Sequence, residues 1–409
     1  MWLCYLCDTM TGELGAQIDV PAFSWSLSVS DCSFDTTADK GTGEGEASSL
    51  TVPWQCLPGS TPEDRGEAVA TGKRGVVLCW EQDDEVYPVL FGAIGERTDT
   101  YWDTSFSLDS VKALLDDRYA VDEGVFGADT TTIEGEDGDE VIEGTTTACL
   151  SYTGMSLRGI ASEVGYLCTF GKPGGDLPIW WRYRGESGSH ERTYYGYNVS
   201  NLSCSTIMEE LADVSGGPDM MFRPVFRTAD PYDETEVYDQ ERLWLEFTAG
   251  SDDDPYIEQS SDWYISQYND LSVAHAAPSM RVYETGDGYD EERICALAED
   301  LSLCEGSDPV PLSEITNNDS EDDSLAEVVS AAEAELEAAA VPLCQVSLEV
   351  SAYDIRLGQM WPGDLCRVPI DDFPTLPDDV YEMRIMEMSG DETDRVEITF
   401  DVMEDPAYG

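Results

Sequence analysis

Hydrophobic and polar residues alternate in several segments near the start of the chain. Residues 23–30 read Phe-Ser-Trp-Ser-Leu-Ser-Val-Ser, with a large apolar side chain at every second position. A period of two is typical of a half-buried β-strand. Residues 50–54, 75–80 and 86–94 continue the pattern between clusters of Gly, Asp and Pro. The first third of the chain is therefore predicted to be a series of short strands, as in a barrel or sandwich.

Apolar residues spaced three and four apart predict helices in the middle of the chain. A short helix is expected to start after Ser107, with Asp109 or Ser110 as its N-cap. Four further helices are predicted at residues 156–169, 201–214, 290–303 and 324–340. One strand, at residues 242–248, is predicted among them. These helices would lie between the strands of the two chain ends.

The β pattern returns after Pro342. Residues 343–350 alternate, and residues 380–388 turn into residues 395–403 as a predicted hairpin. Its second strand is expected to place four side chains on one face, Val396, Ile398, Phe400 and Val402. Strands at both ends with helices between them predict the α+β class. We expect a multi-domain protein with β-barrel domains formed from N- and C-terminal strands and with inserted α+β helical domains.

Composition shifts suggest boundaries between four segments. They are an N-terminal β-barrel domain (1–106), an inserted α+β domain (107–240), a strand and helical segment (241–340) and a C-terminal β-barrel domain (341–409). Two stretches rich in acidic residues interrupt this plan. Residues 121–147 and residues 308–323 are both predicted to be exposed acidic insertions.

The charge of the chain is extreme, with 85 acidic residues against 21 Lys and Arg and a formal net charge of −64. Apolar residues make up 41% and aromatic residues 10%, which excludes the composition of a disordered chain. Such a surface repels phosphates and anionic lipids, so binding to nucleic acid or membrane by charge attraction is excluded. Only four of the basic residues are Lys. This scarcity fits either adaptation to salt or a GC-rich genome.

The twelve cysteines are scattered singly, many of them in apolar segments. This distribution indicates buried free thiols made in a reducing cytosol rather than a disulfide scaffold. Cys4 and Cys7 have no second close pair, so core positions are favoured over a zinc site or a redox motif. The first eight residues lack a basic region and a long apolar run, so no signal peptide is predicted. No segment reaches the ~20 apolar residues of a membrane span.

Few residues suggest chemistry. The chain has two histidines, His190 and His275, and residues 185–190 resemble a hydrolase elbow with the second Gly one position early. A polar loop is the favoured interpretation of that segment. The acids of residues 137–139 and 319–323 supply oxygens without the spacing of a calcium loop. We therefore predict no catalytic residue, no metal site and no cofactor.

One region is dense in aromatic residues. Its members are Trp180, Trp181, Tyr183, Tyr194, Tyr195 and Tyr197. Such side chains are enriched in protein interfaces and in carbohydrate-binding surfaces. They are also typical of the core between two adjacent strands, and the sequence leaves both interpretations open.

Several segments together resemble a known family. They are residues 2–8, 23–31, 75–80, 183–188, 217–224, 386–391 and 400–406. In composition and order these segments resemble the minor tail proteins of actinobacterial siphophages, which are similar to tail hubs. The resemblance covers most of the chain outside the two acidic insertions.

The resemblance implies an architectural role rather than catalysis. A tail hub is expected to form a homo-oligomer, most simply a trimer, that closes the distal end of the tail tube. Its partners would be the distal tail protein, the tape-measure protein and receptor-binding or tail-fibre proteins. The chain would be assembled in the host cytoplasm and located at the virion tail tip, where DNA passes without tight binding. Two alternatives remain, a carbohydrate-binding adhesion protein and a salt-adapted hydrolase that uses His190.

Overall fold

A computed structural model gives the fold of most of the chain. The description covers residues 1–29, 32–35, 49–122, 126, 130–134, 140–144, 148–214, 216–233, 235–257, 263–286, 293–305, 309–318 and 324–405. The described part is rich in β-structure and has few helices, which confirms the α+β class. No helix in these ranges is both long enough and apolar enough to cross a bilayer.

The strands and helices follow one another along the whole chain. The strands are β1 Trp2–Asp8, β2 Leu14–Ile18, β3 Ser24–Ser28, β4 Cys32–Asp35, β5 Ser49–Pro53, β6 Arg74–Gln82, β7 Glu85–Asp99, β8 Asp103–Asp109, β9 Thr130–Glu134, β10 Glu140–Gly144, β11 Cys149–Met155, β12 Ile179–Trp181, β13 Ser187–Tyr195, β14 Met220–Ala229, β15 Val237–Ala249, β16 Trp263–Tyr264, β17 Asp270–Ala276, β18 Arg281–Thr285, β19 Cys295–Glu299, β20 Glu314–Asn318, β21 Leu343–Ser351, β22 Leu365–Ile370, β23 Asp379–Asp391 and β24 Arg395–Glu404. The helices are α1 Pro62–Ala68, α2 Val111–Asp116, α3 Leu157–Cys168, α4 Cys204–Ala212 and α5 Leu325–Ala339.

The N-terminal strands form a six-stranded sheet in the order β2-β1-β6-β7-β8-β5. The apolar run of β6 is fully buried from Val76 to Trp80, so both faces of this central strand are covered. Helix α2 begins as predicted at Ser110, whose hydroxyl accepts a hydrogen bond from the Ala113 amide. Its buried residues, Val111 and Leu115, join the hydrophobic core that also contains residues of α3 and α4.

Strands from the two chain ends share a sheet. Its order is β16-β22-β23-β24-β21-β17, and β3 pairs with both β23 and β4. The pairing of β3 with β23 is antiparallel and places Ser28 opposite Glu387 and Trp25 opposite Gly390. The predicted hairpin is therefore present as β23 and β24. Val396, Ile398, Phe400 and Val402 occupy alternate positions of β24, as predicted for one face; the first three are buried, and Val402 is 48% exposed.

The middle of the chain forms a separate three-stranded sheet, β12-β15-β14, with β12 parallel to β15. Helix α3 packs on it because its apolar stripe includes Ile160 and Val164, both fully buried. Gly165 allows the close approach: a Cβ there would lie 2.2 Å from the Trp181 ring. This contact explains a glycine in the interior of a helix.

The chain divides into two compact units. The first comprises Met1–Asn269, Glu349–Arg367 and Glu382–Ile398, and the second comprises Asp270–Leu348, Val368–Tyr381 and Thr399–Gly409. Within the second unit, the three-stranded sheet β19-β18-β20 packs against α5. Glu284 of β18 is fully buried there, and neither of its carboxylate oxygens has a hydrogen-bond partner among the described residues. The boundaries of the four predicted segments stay a prediction.

Two predictions of secondary structure differ from the structure. Residues 290–303 were predicted to be helical, but residues 295–299 form strand β19, which pairs with β18. A short apolar run is compatible with either element, and pairing with a neighbouring strand decides between them. Residues 121–147 were predicted to be an exposed acidic insertion; β9 and β10 pair within it, and Val121 at its start is buried. Residues 123–125, 127–129, 135–139 and 145–147 of that insertion, and residues 308 and 319–323 of the other, lie outside the described residues.

Candidate functional site

An aromatic cluster joins segments that are far apart in sequence. The Trp2 ring contacts Phe23, Trp25 and Trp80 in edge-to-face arrangements at centroid distances of 5.7, 5.5 and 5.0 Å. Trp80 also contacts Tyr353 at 5.0 Å. Edge-to-face aromatic pairs are worth about 0.5–1.5 kcal/mol each beyond their buried area. The cluster therefore fixes β1, β3 and β6 to one another.

The C-terminal hairpin completes this cluster. The Trp2 indole Nε1 donates a hydrogen bond of 2.6 Å to the carbonyl of Thr393, in the turn between β23 and β24. Gly390 of β23 lies beneath Trp25, and a Cβ there would be 3.0 Å from its ring. Four of the segments that carry the family resemblance, residues 2–8, 23–31, 75–80 and 386–391, thus meet at this cluster.

Two of the six predicted site aromatics belong to the core. Trp181 is 1% exposed and packs against Phe222 and Phe247 at 5.6 and 5.2 Å. Its indole Nε1 donates to the Thr169 hydroxyl at 3.1 Å. Tyr194 is also buried, and burial raises the pKa of its hydroxyl well above the usual range. Neither side chain is available to a partner.

Trp180 and Tyr183 are half-buried and carry arginines on their rings. The guanidinium carbons of Arg182 and Arg227 lie 5.3 and 4.6 Å from the Trp180 ring. That of Arg158 lies 4.2 Å from the Tyr183 ring. Cation–π contacts of this kind contribute about 0.5–1 kcal/mol at exposed sites. These two aromatics hold arginines in place on the protein itself.

Tyr195 and Tyr197 are the exposed members of the predicted set, at 48% and 66%. Their rings stack at 5.4 Å with an angle of 16° between the planes. Strands β12 and β13 do not pair with each other, because β12 pairs with β15 and β13 with β11, although Trp181 and Tyr194 lie in one hydrophobic core. The aromatic region therefore separates into two core residues, two half-buried residues and one exposed stacked pair.

His190 lies on strand β13, not in the predicted polar loop. Its Nε2 is 3.4 Å from a carboxylate oxygen of Asp252. The other oxygen of Asp252 accepts a hydrogen bond from the Leu157 amide at the start of α3. No hydroxyl or thiol of the described residues hydrogen-bonds to the imidazole. His190 thus has a carboxylate partner, and among the described residues no nucleophile of a hydrolase triad is hydrogen-bonded to it.

The Ser156 hydroxyl, a candidate nucleophile for such a site, is instead engaged at the start of α3. It caps α3 by accepting from the Gly159 amide at 3.1 Å, and it donates to Glu186 at 2.6 Å. Glu186 also receives two hydrogen bonds from Arg158, which is the main reason that its pKa is lowered. This network is a helix cap with a bidentate ion pair.

The cysteines whose side chains are described are free thiols; seven are buried as predicted, whereas Cys56 and Cys304 are half-buried and Cys149 and Cys295 are exposed. Cys4 and Cys7 are buried, and burial raises the pKa of the Cys4 thiol to about 12. Within the described ranges, no cluster of three or more His, Cys, Asp or Glu residues could hold a metal ion. The acidic residues 137–139 and 319–323, considered for calcium, lie outside those ranges.

A buried ion pair was not predicted from the sequence. Arg223 of β14 and Asp364 lie 3.8 Å apart, with side chains 10% and 0% exposed. Asp364 accepts hydrogen bonds from the Trp263 indole at 2.7 Å and from the Trp361 amide at 3.1 Å. Burial lowers the pKa of Arg223 and raises that of Asp364, so the loss of hydration outweighs the attraction between them.

The most exposed aromatic residues were also not predicted from the sequence. Tyr101 is 86% exposed and Trp102 is 76% exposed, both in the turn between β7 and β8. They stand among polar residues in Thr98 to Thr104, so neither periodicity nor local aromatic density marks them.

Comparison with known proteins found solved structures but no family. No family model matches the chain, and no curated protein matches it. A 43 kDa tail protein of prophage MuSo2 from Shewanella oneidensis is 12% identical, covers 98% of both chains and has a TM-score of 0.47. A tail protein from Neisseria meningitidis is 11% identical over 98% of this chain and 96% of that one, with a TM-score of 0.43.

A prophage tail protein from Listeria monocytogenes is 11% identical over 99% of this chain and 95% of that one, with a TM-score of 0.38. The three descriptions are of tail proteins, the broad class that the sequence resemblance names.

Proposed function

We propose that this chain is a structural protein of a phage tail tip, a tail-hub or baseplate component of the kind found in actinobacterial siphophages. The observation that carries the proposal is the aromatic cluster around Trp2. The segments that resemble the tail family are distant in sequence, yet four of them pack together there. One structural unit, built by both ends of the chain, thus accounts for the composition that these four segments share with the tail family.

The proposed assembly is a homotrimer that closes the distal end of the tail tube. Distal tail protein, tape-measure protein and receptor-binding or tail-fibre proteins would bind around it. The inserted helices and sheets of the chain would pack outside the ring-forming strands. This role needs no catalytic residue, and His190 is placed without a nucleophile among the described residues.

The charge supports passage of DNA rather than binding of DNA. With a net charge of −64, the chain offers carboxylates along which phosphates move without adhering. The same charge makes copies of the chain repel one another at low salt. Burial in an oligomer or bound cations would offset that repulsion.

Labelling of particles tests the proposed location. Antibodies against the chain should bind at the distal tail end of the phage that encodes it, as seen by electron microscopy. An antibody against the capsid serves as the control for accessibility. Label on capsids or free protein only, with none on tails, would reject the proposal.

A second candidate, glycan binding, is favoured by the stacked pair Tyr195 and Tyr197. Sugar rings pack on exposed aromatic faces, so Tyr197→Ala should abolish binding on a glycan array if this surface is an adhesion site. Tyr283→Ala removes an exposed tyrosine elsewhere and is the matched control. Trp181→Ala is unsuitable, because that side chain is in the core. An array with no bound glycan for the unmodified chain would reject this candidate.

A further inference from the structure

The turn between β7 and β8 presents aromatic side chains to solvent. Tyr101 and Trp102 are 86% and 76% exposed, and their rings meet edge to face at 5.0 Å. Single exposed apolar residues are common, whereas Trp and Tyr are enriched among the residues that dominate binding energy in protein interfaces. We call Tyr101 and Trp102 the aromatic tip.

The aromatic tip is held rigidly. The Thr100 hydroxyl accepts hydrogen bonds from the amides of Trp102 and Asp103, both at 3.1 Å. Trp54 donates from its amide to the Trp102 carbonyl at 3.2 Å and from its indole to the Thr100 carbonyl at 3.0 Å. A surface that is already ordered loses little conformational entropy on binding. The tip is thus preorganised for a partner.

A groove of about 1160 Å³ lies beside the tip, lined by Trp54, residues of helix α1 and the tip itself. Its charged lining consists of Arg65, Arg97, Asp99 and Asp103, so the groove is neutral in a strongly acidic chain. Arg97 is engaged with Asp99 at 3.0 Å and with two backbone carbonyls. In the described part of the chain, the Arg65 guanidinium has no ion pair and no hydrogen bond.

We propose that the aromatic tip and this groove form a contact surface for a second copy of the same chain. The inference rests on the proposed homo-oligomer and names one surface that holds it together. Trp, Tyr and Arg are the residue types that dominate binding energy in protein interfaces, and all three are present here.

The net charge of the chain indicates that the partner bound at this surface is a second copy. Two copies with a net charge of −64 each repel, so they approach most easily where the local surface is neutral. With 85 acidic residues against 21 basic ones, almost any segment of a second copy brings a carboxylate to the groove. The free guanidinium of Arg65 is its complement, since arginine binds carboxylates in a bidentate manner.

Sedimentation of the full chain over a range of concentrations tests the inference. We expect the unmodified chain to associate, and Trp102→Ala to raise the dissociation constant at least about 30-fold, the loss typical of an interface hot spot. Arg65→Gln should weaken association as well. Tyr264→Ala, which removes a 55% exposed tyrosine outside this surface, should leave the constant unchanged. Because Trp102 is exposed, its variant should keep the thermal midpoint of the unmodified chain at a concentration at which both are monomeric.

Three outcomes would overturn the inference. They are a chain that stays monomeric at all concentrations, association that is unaffected by both Trp102→Ala and Arg65→Gln, and equal loss in the Tyr264→Ala control. Label at the tail tip with association unaffected by these variants would reject this surface but not the proposed function. Association through the tip with no label on tails would reject the proposed function but not this surface.

Discussion

The buried pair of Arg223 and Asp364 gives the sharpest test of the energetics. Replacing one partner leaves the other charge desolvated, which typically costs about 3–5 kcal/mol. We therefore expect Arg223→Met to lower the free energy of unfolding by that amount near neutral pH. The double variant Arg223→Met with Asp364→Leu removes both charges and should be neutral or more stable by about 1–4 kcal/mol.

The pH dependence follows from the direction of the Asp364 pKa. Burial already raises this pKa, and Arg223 opposes the rise, so Arg223→Met should raise it further. A carboxyl group whose pKa is raised in the folded state makes its full contribution to the free energy of unfolding below its unfolded pKa of about 3.9. That contribution is lost as pH rises through the folded pKa. The loss in free energy of unfolding caused by Arg223→Met should consequently be larger at about pH 8 than at about pH 5.

Urea unfolding followed by tryptophan fluorescence measures both effects, because Trp263 and Trp361 hydrogen-bond to Asp364. The two single variants and the double variant form a thermodynamic cycle with the unmodified chain. Arg395→Met is the control, since that side chain is 70% exposed and its ion pair lies on the surface. Equal losses in Arg223→Met and Arg395→Met, or a deficit that shrinks as pH rises, would refute the reasoning.

Three further predictions concern packing, a buried acid and salt. Gly165→Ala should destabilise the chain by about 1–3 kcal/mol in thermal melts, because its Cβ would lie 2.2 Å from the Trp181 ring; additional Trp181→Phe should recover part of the loss, and no recovery would contradict the contact. Glu284→Met should raise the melting midpoint, since it removes a buried carboxylate without a hydrogen-bond partner in the described chain. A lower midpoint would show that the Glu284 carboxylate stabilises the fold. Raising salt from about 0.01 to 1 M, which shortens the Debye length from about 30 to 3 Å, should also raise the midpoint, and a fall would argue against dominant charge repulsion.

Local pattern was sufficient for part of the secondary structure. Alternation located β3 and β21, a run of apolar residues located β6, and a helical period located α3 and, with Ser110 as a candidate cap, α2. These elements are set by which side of a strand or helix is apolar, and that information is contained in neighbouring residues. Strand β19 could not be found in this way, because its short apolar run fits a helix as well as a strand, and its pairing with the preceding strand β18 is not recorded in the run itself.

The candidate surfaces depended even more on tertiary structure. Sequence marked the region of Trp181 and Tyr197 as aromatic but could not separate the buried ring from the exposed one. It gave no sign that Trp2 meets the C-terminal hairpin, nor that Arg223 is paired with Asp364. Trp102 is exposed because it lies in the turn between β7 and β8, outside the last strand pair of Asp99 and Thr104, and no local pattern records this.

A cryo-EM reconstruction of the tail tip tests the central claim most directly. The proposed hub predicts three copies of this chain around the tail axis, with a central channel and with the Trp2 cluster inside each copy. A reconstruction in which the distal end of the tube contains no copy of the chain, or a single copy off the axis, would contradict it.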